Sequence, residues 1–319
     1  MKTRILILGM LLLTNMATGF AQSGTCGENL TWTLSEDEKT LKISGTGAMR
    51  DYLFILNTSP WDSYRSSITT VEIGDGVTSI GDWAFSACSS LTSITIPDGV
   101  TSIGDGAFAV CRSLTSIAIP DGVTSIGKQA FYDCDRLTAI RVENGNVNYS
   151  SEAGILFNKD KTTLVCCPGG TTGNYTIPDG VTSIEDWAFS GCRRLTSITI
   201  PDGVTRIGKD AFTDCLSLTS IAIPDGVKSI EDKAFAGCLS LTSITIPDGV
   251  TNIGVSAFYD CRSLTSVTNL NLTPQKVSSD VFSNVKLRKA TLYVPAASRA
   301  AYKAADVWKN FGSIKAYVP

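Results

Sequence analysis

Apolar positions between residues 68 and 286 return on a cycle of 23 residues, broken by a single longer spacing. In one cycle Leu91, Ile94 and Ile96 turn inward, while Ser93 and Thr95 turn outward. That alternation predicts a short strand, and Pro97 ends it. Asp98-Gly99 marks a turn. Val100 and Ile103, then Ala107, Phe108 and Cys111, complete the inward set. Glycine holds the Gly99 place in every regular cycle, which predicts a positive φ there. The second glycine (Gly104 and its equivalents) gives way to Glu185 and Glu231, so that place does not need such a backbone.

A fixed period of this length means stacked coils, each burying its apolar side against its neighbours. Coil 1 runs from Ile68 to Ser90. Coils 2, 3 and 4 start at Leu91, Leu114 and Leu137. Coil 5 resumes near Thr172, coils 6 to 8 start at Leu195, Leu218 and Leu241, and a degenerate coil 9 starts at Leu264. Parallel rungs about 4.8 Å apart are expected along the stack, and the coils are expected to form one cooperative array.

Four segments fall outside the cycle. Residues 1–21 read as an export signal: Lys2 and Arg4, an apolar run from Ile5 to Leu13, then Gly19-Phe20-Ala21 before Gln22. Residues 22–67 form an N-terminal β cap. In it Leu30, Trp32 and Leu34 alternate, a turn follows at Ser35–Lys39, and Leu41 and Ile43 answer. An irregular insertion at about 145–173 interrupts the 68–286 array, with a hairpin turn expected at Asn158–Lys161. Residues 287–319 form a C-terminal cap with a strand at Ala290–Val294 and a helix from Ala297 to Lys309. In that helix Tyr302, Ala305 and Trp308 face the stack.

The frame L-x-x-I-x-I-P-x-x-V-x-x-I-G-x-x-A-F-x-x-C resembles the BspA-like class of leucine-rich repeats. Gly24-Thr-Cys-Gly27, the insertion from Asn148-Tyr149 to Pro168, and Tyr293-Val-Pro with Tyr302, Trp308 and Phe311 resemble the segments that flank and interrupt such arrays. The expected fold is a leucine-rich repeat solenoid, α/β or mainly β, right-handed, of about nine coils. Its parallel β-sheet lies on the concave face, with an N-terminal β-hairpin cap and a C-terminal helical cap. The resemblance implies secreted or cell-surface proteins, chiefly of anaerobic bacteria, some of which bind host matrix proteins or other bacteria. It does not imply an enzyme.

Composition narrows the chemistry. The chain of 319 residues contains no histidine, which removes histidine-based catalytic triads and histidine metal sites. Its net charge of −3 disfavours a nucleic-acid partner. No later stretch is apolar enough to span a bilayer. Seven cysteines recur with the cycle (Cys88, Cys111, Cys134, Cys192, Cys215, Cys238 and Cys261) and read as small buried packing residues, not ligands. Cys166 and Cys167 are adjacent and off the column, so a disulfide from one of them stays open. Asp75, Asp98, Asp121, Asp179, Asp202, Asp225 and Asp248 form a carboxylate column. Ca²⁺ needs six to eight converging oxygens, and nothing else acidic recurs beside this column, so it reads as solvated turn residues. No cofactor is called for.

What varies between coils is the loop around each cysteine and the face of coil 4. Arg112, Tyr132, Arg136, Arg193, Arg194, Tyr259 and Arg262 flank the cysteines, and Arg141 and Glu143 stand on coil 4. Arginine and tyrosine favour interfaces, and solvated loops account for them equally well. The expected function is recognition or adhesion toward a protein or glycan ligand. The alternative is a structural spacer in a cell-envelope assembly.

Overall fold

The computed structural model describes residues 20–53 and 58–318; the leader expected at 1–21 lies outside them except for its last two residues. The chain winds as a solenoid whose regular coils have three sides. The first side is the strand read from the alternation. Rungs such as Ser197–Ser220–Ser243–Ser266 stack parallel at the 23-residue offset. Val100-Thr-Ser-Ile103 and its equivalents supply a second, shorter parallel ladder. Ala-Phe-x-x-Cys turns form the third side.

Eleven rungs run from Thr70–Ile73 to Ser313–Ala316, two more than the nine expected. The extra two belong to the C-terminal segment. Thr291–Val294 and Ser313–Ala316 pair parallel onto the same sheet at offsets of 25 and 22 residues, so the cycle does not reveal them. The helix expected at Ala297–Lys309 is shorter, Arg299–Ala304, with single 3₁₀ turns on either side; Val307 stands at φ 66°. Tyr302 and Trp308 are buried as expected. At the other end Gly27–Ser35 and Thr40–Met49 form the expected hairpin, with Leu34 opposite Leu41 and Trp32 opposite Ile43. Leu41 then pairs with Val71, so the hairpin carries the first rung of the stack.

The third side holds the aromatic core. Trp61, Phe85, Phe108 and Phe131 stack at 5.5, 5.6 and 5.9 Å between centroids, and Phe189, Phe212, Phe235, Phe258 and Phe282 at 5.1, 5.3, 5.6 and 5.3 Å. Beneath seven of these nine rings, all but Trp61 and Phe282, lies the coil's cysteine, fully buried. The thiol has a partner that packing alone does not require. Cys111, Cys134, Cys215, Cys238 and Cys261 each donate S–H to the carbonyl of the phenylalanine one coil back, at 3.1–3.2 Å. Burial pushes the Cys88 and Cys134 thiols up to about 12. All ten cysteines are free thiols.

The expectation of a positive φ at the first glycine is corrected. None of the seven equivalents of Gly99 lies in the left-handed region. At some of these places glycine supplies room instead: a Cβ on Gly122 would sit 2.2 Å from the Asp98 carbonyl of the coil before and one on Gly76 2.3 Å from the Gly45 carbonyl, whereas Gly180 has open space. Most of the left-handed residues fall in two other columns. Trp83, Gly106, Gln129, Trp187, Asp210, Lys233 and Ser256 form one, and the residue before each cysteine forms the second. The cause is the inter-coil ladder. Trp83, Phe85 and Ala87 N–H donate to the carbonyls of Asp105, Ala107 and Ala109 at 2.8, 2.9 and 2.7 Å. That aim requires φ near +60° at the outer two, whatever the side chain.

The second glycine has a separate reason. Asp51, Asp82, Asp105, Asp186 and Asp232 each accept, through Oδ1, the backbone N–H one coil on, at 2.7–3.0 Å. The carboxylate then occupies the space of a Cβ: one on Gly104 would lie 2.4 Å from Asp82 Oδ1. Glu231 follows Lys209, which presents no such carboxylate.

Candidate functional site

Coil 4 keeps its long rung, Ala139–Val142, and loses the rest of the cycle. The chain instead makes three antiparallel strands, Tyr149–Glu152, Ile155–Asn158 and Thr163–Cys166. The turn between the last two lies where the sequence placed it, and Asn158 Oδ1 accepts the Thr163 N–H at 2.9 Å to close it. The third strand enters the short-strand ladder, with Leu164 opposite Ile184.

Cys167 then stands where a phenylalanine stands in regular coils. Its N–H donates to Ala188 O at 2.7 Å, as Phe189 N–H does to Ala211 O at 2.8 Å. Its carbonyl accepts the Cys192 thiol at 3.5 Å, as that of Phe189 accepts the Cys215 thiol. A cysteine side chain cannot fill a phenyl place. The aromatic column therefore stops at Phe131 and resumes at Phe189. The apolar interior divides into two clusters, one spanning residues 26–140 with Leu156 and one spanning 155–314. The stack is continuous as expected, and its buried interior forms two packed blocks that meet at the insertion.

On the outside the missing segment leaves a cleft of about 400 Å³ between coils 3 and 5. Gln129, Phe131 and Tyr132 line it from coil 3, Tyr149, Val165 and Cys166 from the insertion, and Asp186, Trp187 and Ser190 from coil 5. Tyr132 and Trp187 meet edge to face at 6.1 Å. Tyr132 OH donates to Asp214 at 3.2 Å, and burial together with that carboxylate pushes its phenol up to about 12. Tyr149 OH accepts the Ile126 N–H at 3.1 Å.

Side chains tie the two blocks together around this gap. Asp133, nearly buried, accepts from Arg112 Nη2 at 2.8 Å and from Arg193 Nε at 3.0 Å. Lys128 reaches Asp186 at 3.2 Å. Burial works to raise the Asp186 carboxyl, but the Lys209 N–H, Lys128 and Arg206 outweigh it and hold it below the usual range.

The contact residues expected from the sequence thus separate into three groups. Tyr132 lines the cleft, and Arg112 and Arg193 pair with Asp133, the residue after it. Arg136, Arg141, Glu143 and Arg194 are exposed on the coils that bound the break. Tyr259 and Arg262 lie on coil 8, with Arg262 against Asp260 at 2.8 Å. Lys128, Gln129, Tyr149, Asp186, Trp187 and Ser190 were not singled out. Their signal was indirect: a cycle that lacks its Ala-Phe-x-x-Cys segment leaves a hole beside whatever flanks it.

The remaining columns are occupied internally or open to water. The hydroxyls of Thr92, Thr101, Thr124, Thr219 and Thr242 donate to the carbonyl of the threonine one coil back, at 3.1–3.2 Å. All seven aspartates of the turn column are exposed. Among the described residues no three Cys, Asp or Glu side chains converge as metal ligands, and no helix is long and apolar enough to cross a membrane.

Three solved bacterial structures resemble the whole described stack. A leucine-rich repeat protein from Eubacterium ventriosum is 28% identical, over 92% of this chain and 93% of its own, with a TM-score of 0.55. A leucine rich cell surface protein from Faecalibacterium prausnitzii is 24% identical, over 93% and 95%, with a TM-score of 0.63. The pneumococcal vaccine antigen PcpA is 18% identical, over 95% and 100%, with a TM-score of 0.65. The last two share the fold. No curated protein sequence matches the chain. The family model for BspA type leucine rich repeat regions matches residues 63–163 and 167–292 in six copies, its interruption falling at the last strand of the insertion. Since those residues make up most of the chain, this protein belongs to the BspA type leucine rich repeat family.

Proposed function

We propose that this protein is a non-enzymatic recognition or adhesion module, exported and displayed at or released from the cell surface, that binds a protein or glycan ligand. The observation that carries the reading is the cleft at coil 4. A solenoid of near-identical coils offers few distinctive surfaces, and the one interruption of its core coincides with an aromatic and polar recess braced from both sides. The chain's lack of histidine supports a role without catalysis. Two of the similar structures are named as a cell surface protein and a vaccine antigen, which supports display. Arg136, Arg141, Glu143 and Arg194 are the outer contacts expected around the break, and Tyr259 with Arg262 a separate edge.

Protease treatment of intact source cells should release fragments of this chain into the medium. Full-length protein should be retained by an immobilised panel of matrix proteins and surface glycans. A chain fully protected in intact cells, and retained by no member of the panel, would refute the reading. The spacer alternative expects instead that blocking the cleft leaves every binding readout unchanged.

A further inference from the structure

We propose that the cleft between coils 3 and 5 is a carbohydrate site that takes one or two uncharged sugar units of an oligosaccharide. The proposal rests on the recognition reading and gives it a place and a ligand class. A pyranose ring has apolar C–H faces and a rim of hydroxyls, so its site needs aromatic walls with polar groups between them. Tyr132 and Trp187 set two rings at 78° to each other, with Phe131 beside them. The cleft, about 400 Å³, lies within the size range of about 300–1,000 Å³ for small-ligand pockets.

Polar groups in this recess are left without partners. The Ser190 hydroxyl is 7% exposed and has no hydrogen bond among the described residues. A buried hydroxyl in that state is uncommon and points to an absent partner. Ser86 holds the same column place in coil 1 and is also unpaired, but the space beside it is only about 10 Å³. In regular coils the backbone N–H of the Gln129 and Phe131 columns donates to the next coil, as Gly106 does to Lys128 O at 2.9 Å and Phe108 to Ala130 O at 2.8 Å. Coil 4 has no such segment, so neither N–H has a backbone partner among the described residues.

The charges decide against an ionic ligand. Lys128 is paired with Asp186, and Arg206 with both Asp186 and Glu185, at 2.8–3.4 Å. A volume of about 400 Å³ suits a short compact ligand better than an extended peptide.

The full chain would be titrated calorimetrically with four neutral disaccharides: maltose, cellobiose, lactose and chitobiose. Three variants accompany it. Gln129→Trp plugs the cleft, and the column already carries tryptophan at Trp83 and Trp187 with φ of 55° and 65°, close to the 59° of Gln129. Trp187→Ala removes one wall, and Trp83→Ala is the same change away from the cleft. At least one disaccharide should bind. Gln129→Trp and Trp187→Ala should each weaken it about tenfold or more, while Trp83→Ala stays within about threefold. Binding of none of the four, or binding unaffected by the plug, would overturn the site. If the chain still holds a matrix protein in that case, only the sugar assignment falls and the recognition reading stands.

Discussion

Removing one ring from the aromatic column should cost most where the column is continuous. Phe212 is fully buried and stacks on Phe189 at 5.1 Å and on Phe235 at 5.3 Å. Phe212→Ala loses the transfer energy of the ring and leaves a cavity, together about 3–5 kcal/mol. Within that, two stacked pairs account for roughly 0.5–1.5 kcal/mol each. Phe131 is the comparison. It is 4% exposed, stacks only on Phe108 at 5.9 Å, and has the cleft on its other side. Phe131→Ala therefore loses one pair, and its cavity opens to water. It should cost about 1–2 kcal/mol less than Phe212→Ala. Urea denaturation followed by tryptophan fluorescence and circular dichroism measures both, the cost read from the shift in midpoint at constant slope. A Phe131→Ala cost equal to or above that of Phe212→Ala would mean that the column is not interrupted at coil 4. A Phe212→Ala cost below about 1.5 kcal/mol would mean that the stacked rings do not hold the array.

Other consequences follow from the same contacts. Asp133→Ala removes the nearer of the two carboxylates that Arg112 and Arg193 share, leaving Asp135 at 3.7 and 3.4 Å; because both arginines are partly exposed the loss should be modest, about 1–2 kcal/mol, with a broader thermal transition as the blocks uncouple. Burial raises the Asp210 carboxyl, so the folded state resists ionising it, and this contribution to stability falls as pH rises through the ordinary carboxylate range. Asp210→Asn should therefore raise the melting temperature at pH 7 and leave it nearly unchanged at pH 3, the asparagine also suiting the φ of 54°; an equal shift at both pH values would refute this. Thiol counting on the folded chain should reach Cys166 first, the one cysteine not fully shielded, and the seven column thiols only after denaturation. Cys215→Ala, which removes a thiol hydrogen bond, should cost about 1 kcal/mol by the same denaturation assay.

Much of this architecture is legible because every coil poses the same local problem. Strand alternation, the proline stop and the inward Ile, Val, Phe and Cys columns are set by side-chain size and polarity within one cycle, and each recurs in the structure. The N-terminal hairpin and the turn at Asn158–Lys161 are local in the same way, and both lie as expected. The glycine columns were misread because their cause is not local. Gly122 leaves room for a carbonyl of the previous coil and Gly104 for an aspartate of the previous coil, while the left-handed residues answer to carbonyls of the next. The strand expected at Ala290–Val294 forms, but neither it nor Ser313–Ala316 was legible as a rung because their offsets differ from the cycle, although their backbones pair on the same sheet.

The sequence by itself determined that the chain is a stack of coils with a buried cysteine in each of the seven regular ones, and where the stack is interrupted. What that interruption becomes was decided only in three dimensions. Cys167 takes a phenylalanine's place, and Asp133 gathers arginines from two coils. Trp187 comes against Tyr132 across a gap no residue fills. The reason is that a column is set by residues 23 apart, whereas a cleft is set by what the neighbouring coils fail to occupy. That volume exists only once the coils are stacked.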